Sequence, residues 1–156
     1  VESSAQTSYL SAGKTMSNDS PLTSVEQEAL AAARAAQQRA YAPYSGRRVG
    51  AAVITSSGRV FAACNVENKA TEFWVCAERN AIAAAIASGE NQLETVIVVA
   101  PDGRFWPPCA SCRQVIAEFA PAAEIIMSNE SGATLRASLD KLQSRPFDAG
   151  DGGEET

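Results

Sequence analysis

The chain has 156 residues and a mass of 16.3 kDa, room for one domain of ordinary size, and its 46 % apolar content can supply a core. Thirteen basic against 18 acidic residues leave a formal net charge of −5 and a pI near 4.8, which excludes a surface built to coat nucleic acid. The apolar runs are all too short for a transmembrane helix, and histidine is absent altogether, which removes every His-based triad, His-liganded metal site and His proton relay.

Residues 1–22 are rich in Ser, Thr, Ala and Gly and show no apolar period. They are expected to be a disordered extension or tag, with the natural start near Met16. They lack the basic start and long apolar stretch of a secretory leader. From Thr23 the pattern changes. Thr23-Ser24-Val25-Glu26 has the Ser/Thr-x-x-Glu spacing of a capping box, and an alanine-rich helix is predicted to run to about Ala40. Tyr41 to Gly46 breaks it. Val49–Ile54 and Val60–Asn65 read as short strands joined by Ser56-Ser57-Gly58, a hairpin signal. Cys76 to Ser88 is predicted as a helix apolar nearly all round, stopped by Gly89, and so destined for burial on several sides or for a subunit interface.

Thr95–Ala100 (TVIVVA) is the clearest buried strand. A loop bounded by prolines then leads to a third helix, about Cys109 to Phe119, ended by Pro121. Glu124–Met127 is a further strand, and Thr134–Leu142 reads as a strand turning into a short helix. This order predicts an α/β fold: a three-layer αβα sandwich with a mixed sheet of about five strands. The folded body is expected over residues 23–147, with 148–156 a flexible acidic tail.

Four cysteines carry the chemistry: Cys64, Cys76, Cys109 and Cys112. An acidic chain with no secretory pattern is expected in the reducing cytoplasm, where thiols serve as metal ligands or catalytic groups more often than as disulfides. Cys109-Ala110-Ser111-Cys112 opens a helix directly after Pro107-Pro108, so the first turn brings two sulfurs to one side. Cys76 begins another helix. Helix N-termini lower thiol pKa and favour the thiolate that zinc requires. Three protein ligands are one short of a closed structural site, whereas catalytic zinc keeps a position for water.

Zn²⁺ with three thiolates carries net −1, and a positive group should compensate. Arg79 is expected to donate hydrogen bonds to the sulfurs from behind the ligands. Glu78, two residues after Cys76, is the acid/base that must do all the proton work. Two other arrangements fit parts of the pattern. A thiol–disulfide motif would use Cys109 and Cys112 alone, and a closed structural site would recruit Cys64. The first leaves a third thiol, Glu78 and Arg79 unexplained; the second places a Glu and an Arg in the first turn of a buried helix with nothing to do there. Cys64 reads as a small apolar residue at a strand end.

Cys76-Ala77-Glu78-Arg79 and Pro108-Cys109-Ala110-Ser111-Cys112-Arg113-Gln114 resemble the zinc-binding halves of the cytidine deaminase family. Tyr41-Ala42-Pro43-Tyr44-Ser45, Val49-Gly50-Ala51-Ala52, Cys64-Asn65-Val66-Glu67-Asn68 and Val115 to Phe119 match family segments in order and spacing. The subtype resembled is the small homotetrameric one with three cysteine ligands.

That resemblance implies hydrolytic removal of the 4-amino group of cytosine in a free nucleoside, giving uridine or deoxyuridine and ammonia, with no nucleic-acid or membrane partner. It implies Cys76, Cys109 and Cys112 as ligands of Zn²⁺. Glu78 would move the proton from water to ring N3 and then serve the departing amine. Asn65 and Glu67 would sit on the ribose hydroxyls, the backbone at Ala77 and Cys109 on the base edge, and Phe147 over a neighbour's pocket. Taken as residues alone, Asn65 reads as turn-forming and Glu67 as solvated.

Two departures concern the nucleoside pocket. Where the family carries an aromatic in Phe-x-Val-Gly-Ala-Ala, this chain has Arg47. Thr71 and Glu72 replace a Tyr and a Gly, with Trp74 beside them. Arg47 could stack on the base or meet an anionic or modified substrate; it could equally point to solvent or pair with Glu72 across a subunit interface. The expected activity is therefore cytidine or deoxycytidine deamination with an altered pocket. The alternatives are deamination of an N4-substituted cytosine nucleoside or cytosyl antibiotic, and a zinc-stabilised homologue without turnover.

Overall fold

The computed structural model describes residues 20–142. The N-terminal extension before residue 20, the acidic tail and Phe147 lie outside the described residues. Helix α1 spans Ser24–Gln37 and is started by Thr23: its hydroxyl accepts from the Glu26 amide at 3.3 Å, while Glu26 Oε2 accepts from the Thr23 amide at 2.7 Å. The capping box is thus closed on both sides. The helix ends three residues short of the Ala40 expected from composition.

Strands β1 (Gly50–Thr55) and β2 (Val60–Cys64) form the expected hairpin; α2 is Ala77–Ala87, β3 Leu93–Val99, α3 Ala110–Phe119, β4 Glu124–Ser128, β5 Thr134–Ser138 and α4 Leu139–Leu142. A 3₁₀ turn at Thr71–Phe73 precedes α2. The five strands lie in the order β2-β1-β3-β4-β5, parallel only between β3 and β4 and antiparallel elsewhere. The mixed sheet and its covering helices are the α/β architecture expected.

Side chains on a strand alternate between faces, and β1 shows how both faces are used. Ala52 and Ile54 join Ile97, Val99 and Ile126 under Ala29 and Ala33 of α1. Ala51 and Val53 join Val96, Val98, Ile125 and Met127 under Ala77, Ala81, Ile82 and Ala85 of α2 and Ile116 of α3. The small side chains let helices approach closely. Gly50 is the limiting case, for a Cβ there would stand 2.0 Å from the Ala33 carbonyl oxygen. Gly89 closes α2 with φ +86°, a conformation glycine adopts without penalty. The parallel step from β3 to β4 requires a crossover, and α3 supplies it on the face already occupied by α2. That crossover carries the start of α3 to the start of α2.

Candidate active site

Two helix beginnings meet at this point. Cys76 is the N-cap residue of α2 and Cys109 that of α3, both in extended backbone conformation, and neither side chain caps its own helix. Both sulfurs are thereby left for other partners. Cys112, in the first turn of α3, is fully buried. The Cys76 and Cys109 sulfurs lie 3.8 Å apart and those of Cys109 and Cys112 3.5 Å apart; all three lie within 4.8 Å of one another. Sulfurs held at about 2.3 Å from a tetrahedral zinc stand about 3.8 Å from each other, so the donor set fits such an ion. Cys64, half-buried at the end of β2, is not in the cluster; its carbonyl instead accepts from Asn80 Nδ2 at 2.9 Å, tying the sheet edge to α2.

The three thiols oppose one another electrostatically. The contacts with Cys112 and Cys76 pull the Cys109 pKa far below the ordinary thiol value, while the contacts with Cys109 and Cys76, together with burial, push Cys112 well above it. Such mutual exclusion is what a divalent cation relieves, because it stabilises every thiolate at once.

Glu78, on the first turn of α2, is only 4 % exposed. Burial raises its carboxyl above the ordinary range, with the neighbouring Cys109 charge acting in the same direction, against lowering contributions from its own backbone, Cys112 and Arg79. A carboxyl beside three sulfurs, held nearer neutrality by a dry environment, is suited to taking and returning a proton.

Arg79 follows Glu78 on the first turn of α2. Its Nη2 donates to the Trp74 carbonyl at 2.8 Å rather than to a sulfur, and closes the turn before α2. Arg113, its counterpart on α3, donates through Nη1 to the Leu142 carbonyl. The two buried side-chain nitrogens without a partner among the described residues are Arg79 Nε and Arg113 Nε. Orphaned donors on the first turns of both ligand-bearing helices are consistent with an anionic centre between them.

A cleft of about 240 Å³ opens beside the sulfurs, lined among others by Asn65, Glu67, Trp74, Ala77, Glu78, Trp106 and Cys109. Asn65 Oδ1 accepts from the Val49 amide and its Nδ2 donates to the Arg47 carbonyl, each at 2.9 Å. Glu67, 4 % exposed, accepts from the Tyr44 and Ser45 amides at 2.9 and 3.2 Å and from the Ser45 hydroxyl. Burial works to raise its pKa, but these donors outweigh it and hold the carboxylate below its ordinary value. Glu67 is therefore not the solvated residue its sequence suggests. Together the two side chains lock the 44–49 segment into the cleft wall.

Ala77 is the first residue of α2, where a backbone N–H has no intrahelical acceptor. Arg47 is exposed; its guanidinium carbon lies 5.5 Å from the centre of the Trp106 ring. Trp74 stacks on Tyr44 with ring centres 6.3 Å apart and donates to the Asn68 carbonyl at 2.6 Å. Trp106 is a lining residue that sequence reasoning missed. Its signal was present, an aromatic immediately before Pro107-Pro108-Cys109, but a loop residue carries no periodicity to single it out.

Residues 23–128 match the family model described as the cytidine and deoxycytidylate deaminase zinc-binding region. The chain is 37 % identical over 117 residues to a cytidine deaminase of Halalkalibacterium halodurans, covering 74 % of this chain and 89 % of that one. It is 28 % identical over 102 residues to a blasticidin-S deaminase of Bacillus cereus, covering 60 % of this chain and 72 % of that one. A solved cytidine deaminase from Burkholderia pseudomallei superposes with a TM-score of 0.75 at 37 % identity, over 81 % of this chain and all of that one.

Proposed function

Because the chain belongs to the cytidine and deoxycytidylate deaminase family, we propose that it deaminates free cytidine and deoxycytidine hydrolytically, with Zn²⁺ held by Cys76, Cys109 and Cys112. The carrying observation is the cluster of three sulfurs at zinc-like separations with the buried Glu78 beside it. Zinc bound there supplies Lewis acidity, which brings the ionisation of water towards neutral pH and stabilises negative charge on oxygen.

The protein's own groups do the rest. Ala77 and Cys109 present the backbone at the starts of α2 and α3 to the base edge. Glu78 takes the first proton of water as its oxygen bonds to C4 and passes it to ring N3; it then takes the proton remaining on the C4 hydroxyl and delivers it to the amine, so that the C4–N4 bond breaks, the C4 carbonyl forms and ammonia leaves. Burial of Glu78 matches it to this exchange, for a carboxyl with raised pKa gives the proton back more readily than a solvated one. Asn65 and Glu67 hold the cleft wall and still offer a second amide hydrogen and further lone pairs to ribose hydroxyls. Orphaned Arg79 Nε is the donor that would face thiolate charge.

Exposed Tyr41, Tyr44, Val66 and Phe73 cluster in the segments around the cleft and support a homotetramer in which a neighbour covers it. Four free cysteines accord with a reducing, cytoplasmic setting. Deamination of a modified cytosine nucleoside is the second reading, favoured by Arg47 at the cleft and by the similarity to the blasticidin-S deaminase.

The purified protein is expected to carry close to one zinc per chain and to release ammonia from cytidine or deoxycytidine. Glu78→Gln should keep the metal and lose turnover by roughly 10²–10⁴-fold. An unimpaired Glu78→Gln, or a zinc-loaded protein inert towards cytidine, deoxycytidine and N4-substituted cytidines alike, would overturn the reading. Amine release from the substituted nucleosides in preference to ammonia from cytidine would establish the second.

A further inference from the structure

Two aromatic side chains line the cleft, Trp74 and Trp106, and they are held in different ways. Trp74 packs on the exposed Tyr44. Trp106 is built into a brace. Its Nε1 donates to Asp102 Oδ1 at 3.1 Å, and Asp102 is gripped in turn by Arg104, with 2.6 and 3.1 Å contacts to Oδ2 and a 2.9 Å bond from the Arg104 amide to Oδ1. The same loop is tied to the turn after β4: Glu130 donates its amide to the Asp102 carbonyl at 2.9 Å, and Asn129 Nδ2 donates to the Gly103 carbonyl at 3.1 Å.

On the other side of Trp106, Pro107 and the buried Pro108 lead directly into Cys109. Proline fixes φ, so the indole stands at a set offset from the sulfur cluster. The Arg47 and Arg104 guanidinium carbons lie 5.5 and 5.7 Å from the ring centre, within cation–π reach.

We infer that Trp106, steadied by Arg47, is the flat wall against which the cytosine ring packs, and that this pair sets substrate preference. The inference rests on the deaminase reading above. An indole fixed before the substrate arrives adds affinity without an ordering cost. Arg47 serves the ring, so it is a positioning residue and no part of the proton transfer.

The test separates affinity from chemistry. Base–aromatic stacking predicts that Trp106→Ala raises KM for cytidine roughly 5- to 150-fold, with kcat changed less than about threefold and zinc content unaltered. Trp106→Phe should restore most of the affinity. Arg47→Ala, at an exposed position, should raise KM about two- to fivefold in the wild-type background and have no further effect beside Trp106→Ala, the mark of coupled residues. Affinity for the product uridine, followed by calorimetry, should weaken in step, and that measurement needs no turnover.

Trp106→Ala with unchanged KM and uridine affinity would overturn the inference. A fall in kcat alone, or Trp74→Ala producing the KM effect in place of Trp106→Ala, would do the same. Should Trp106→Ala not fold, Trp106→Phe and Arg47→Ala decide alone: unchanged affinity in both refutes it. A wild-type protein that binds uridine through Trp106 but deaminates nothing would refute the proposed reaction and leave this wall standing.

Discussion

Glu26 serves two parts of the molecule with one carboxylate. It closes the capping box of α1 and also meets Arg136 of β5, Oε2 to Nη2 at 2.8 Å and Oε1 to Nη1 at 2.9 Å, with the two side chains only 9 % and 11 % exposed. Arg136 also pairs with Glu124. The Arg136 hydrogen bonds are the main reason that the Glu26 pKa falls from 4.5 to about 2, against the opposing effect of burial and with help from Thr23. The folded state therefore binds this proton less readily than the unfolded chain. The stabilisation is fully present above pH 4.5 and disappears as pH falls through about 2. Glu26→Gln is expected to cost about 2 kcal/mol at pH 7, with the difference from wild type narrowing below pH 4.5. Urea unfolding across pH 2–7 would show it. A pH-independent difference would mean that Glu26 acts by packing alone.

At the scale of elements, the site depends on where helices begin. Both Cys76 and Cys109 occupy N-cap positions where the crossover brings α2 and α3 together, and at Cys109 the Ser111 and Cys112 amides help to lower the thiol pKa. The sheet that carries both helices is packed on its other face by α1, and at Gly50 that packing is tight. Gly50→Ala puts a methyl group against the Ala33 carbonyl oxygen and the Gln37 Cβ, both on α1, and neither backbone can yield without lifting the helix from β1. A loss of about 3 kcal/mol is expected, at the upper end of overpacking costs, read as a lower urea midpoint with unchanged zinc content. A destabilisation below about 0.5 kcal/mol would show that α1 shifts freely, and that the tight contact does not define the frame.

For the whole molecule, the exposed apolar side chains are informative. Phe73 is 66 % exposed on the 3₁₀ turn leading to Cys76, and Tyr41 and Tyr44 are more than half exposed on the segment that Glu67 ties down. A lone domain has little reason to place such side chains around its own cleft. Sedimentation should give a species of about four times the 16.3 kDa chain mass, and Phe73→Asp should shift it to smaller species with lower activity at dilute protein concentration. A monomeric, fully active wild-type protein would show that the cleft is complete within one chain.

Much was already legible in the sequence. The capping box, the hairpin around Gly58, the apolar TVIVVA strand and the glycine stop at Gly89 are local signals, written in neighbouring residues and realised within a residue or two of their expected places. The ligand-type residues were legible too, since a Cys-x-x-Cys pair at a helix start and a Cys-x-Glu at another need no tertiary contact to be noticed. Three things were not. Arg79 holds the Trp74 carbonyl, Glu67 is buried under three donors, and Trp106 faces the cleft beneath Arg47. The last two depend on residues far apart in the chain that only the fold brings together, and the first on how the turn before α2 closes. Propensity and period record what a residue does to its own segment, whereas a polar side chain's partner, and the surface an aromatic ring presents, are fixed by which segments pack against it.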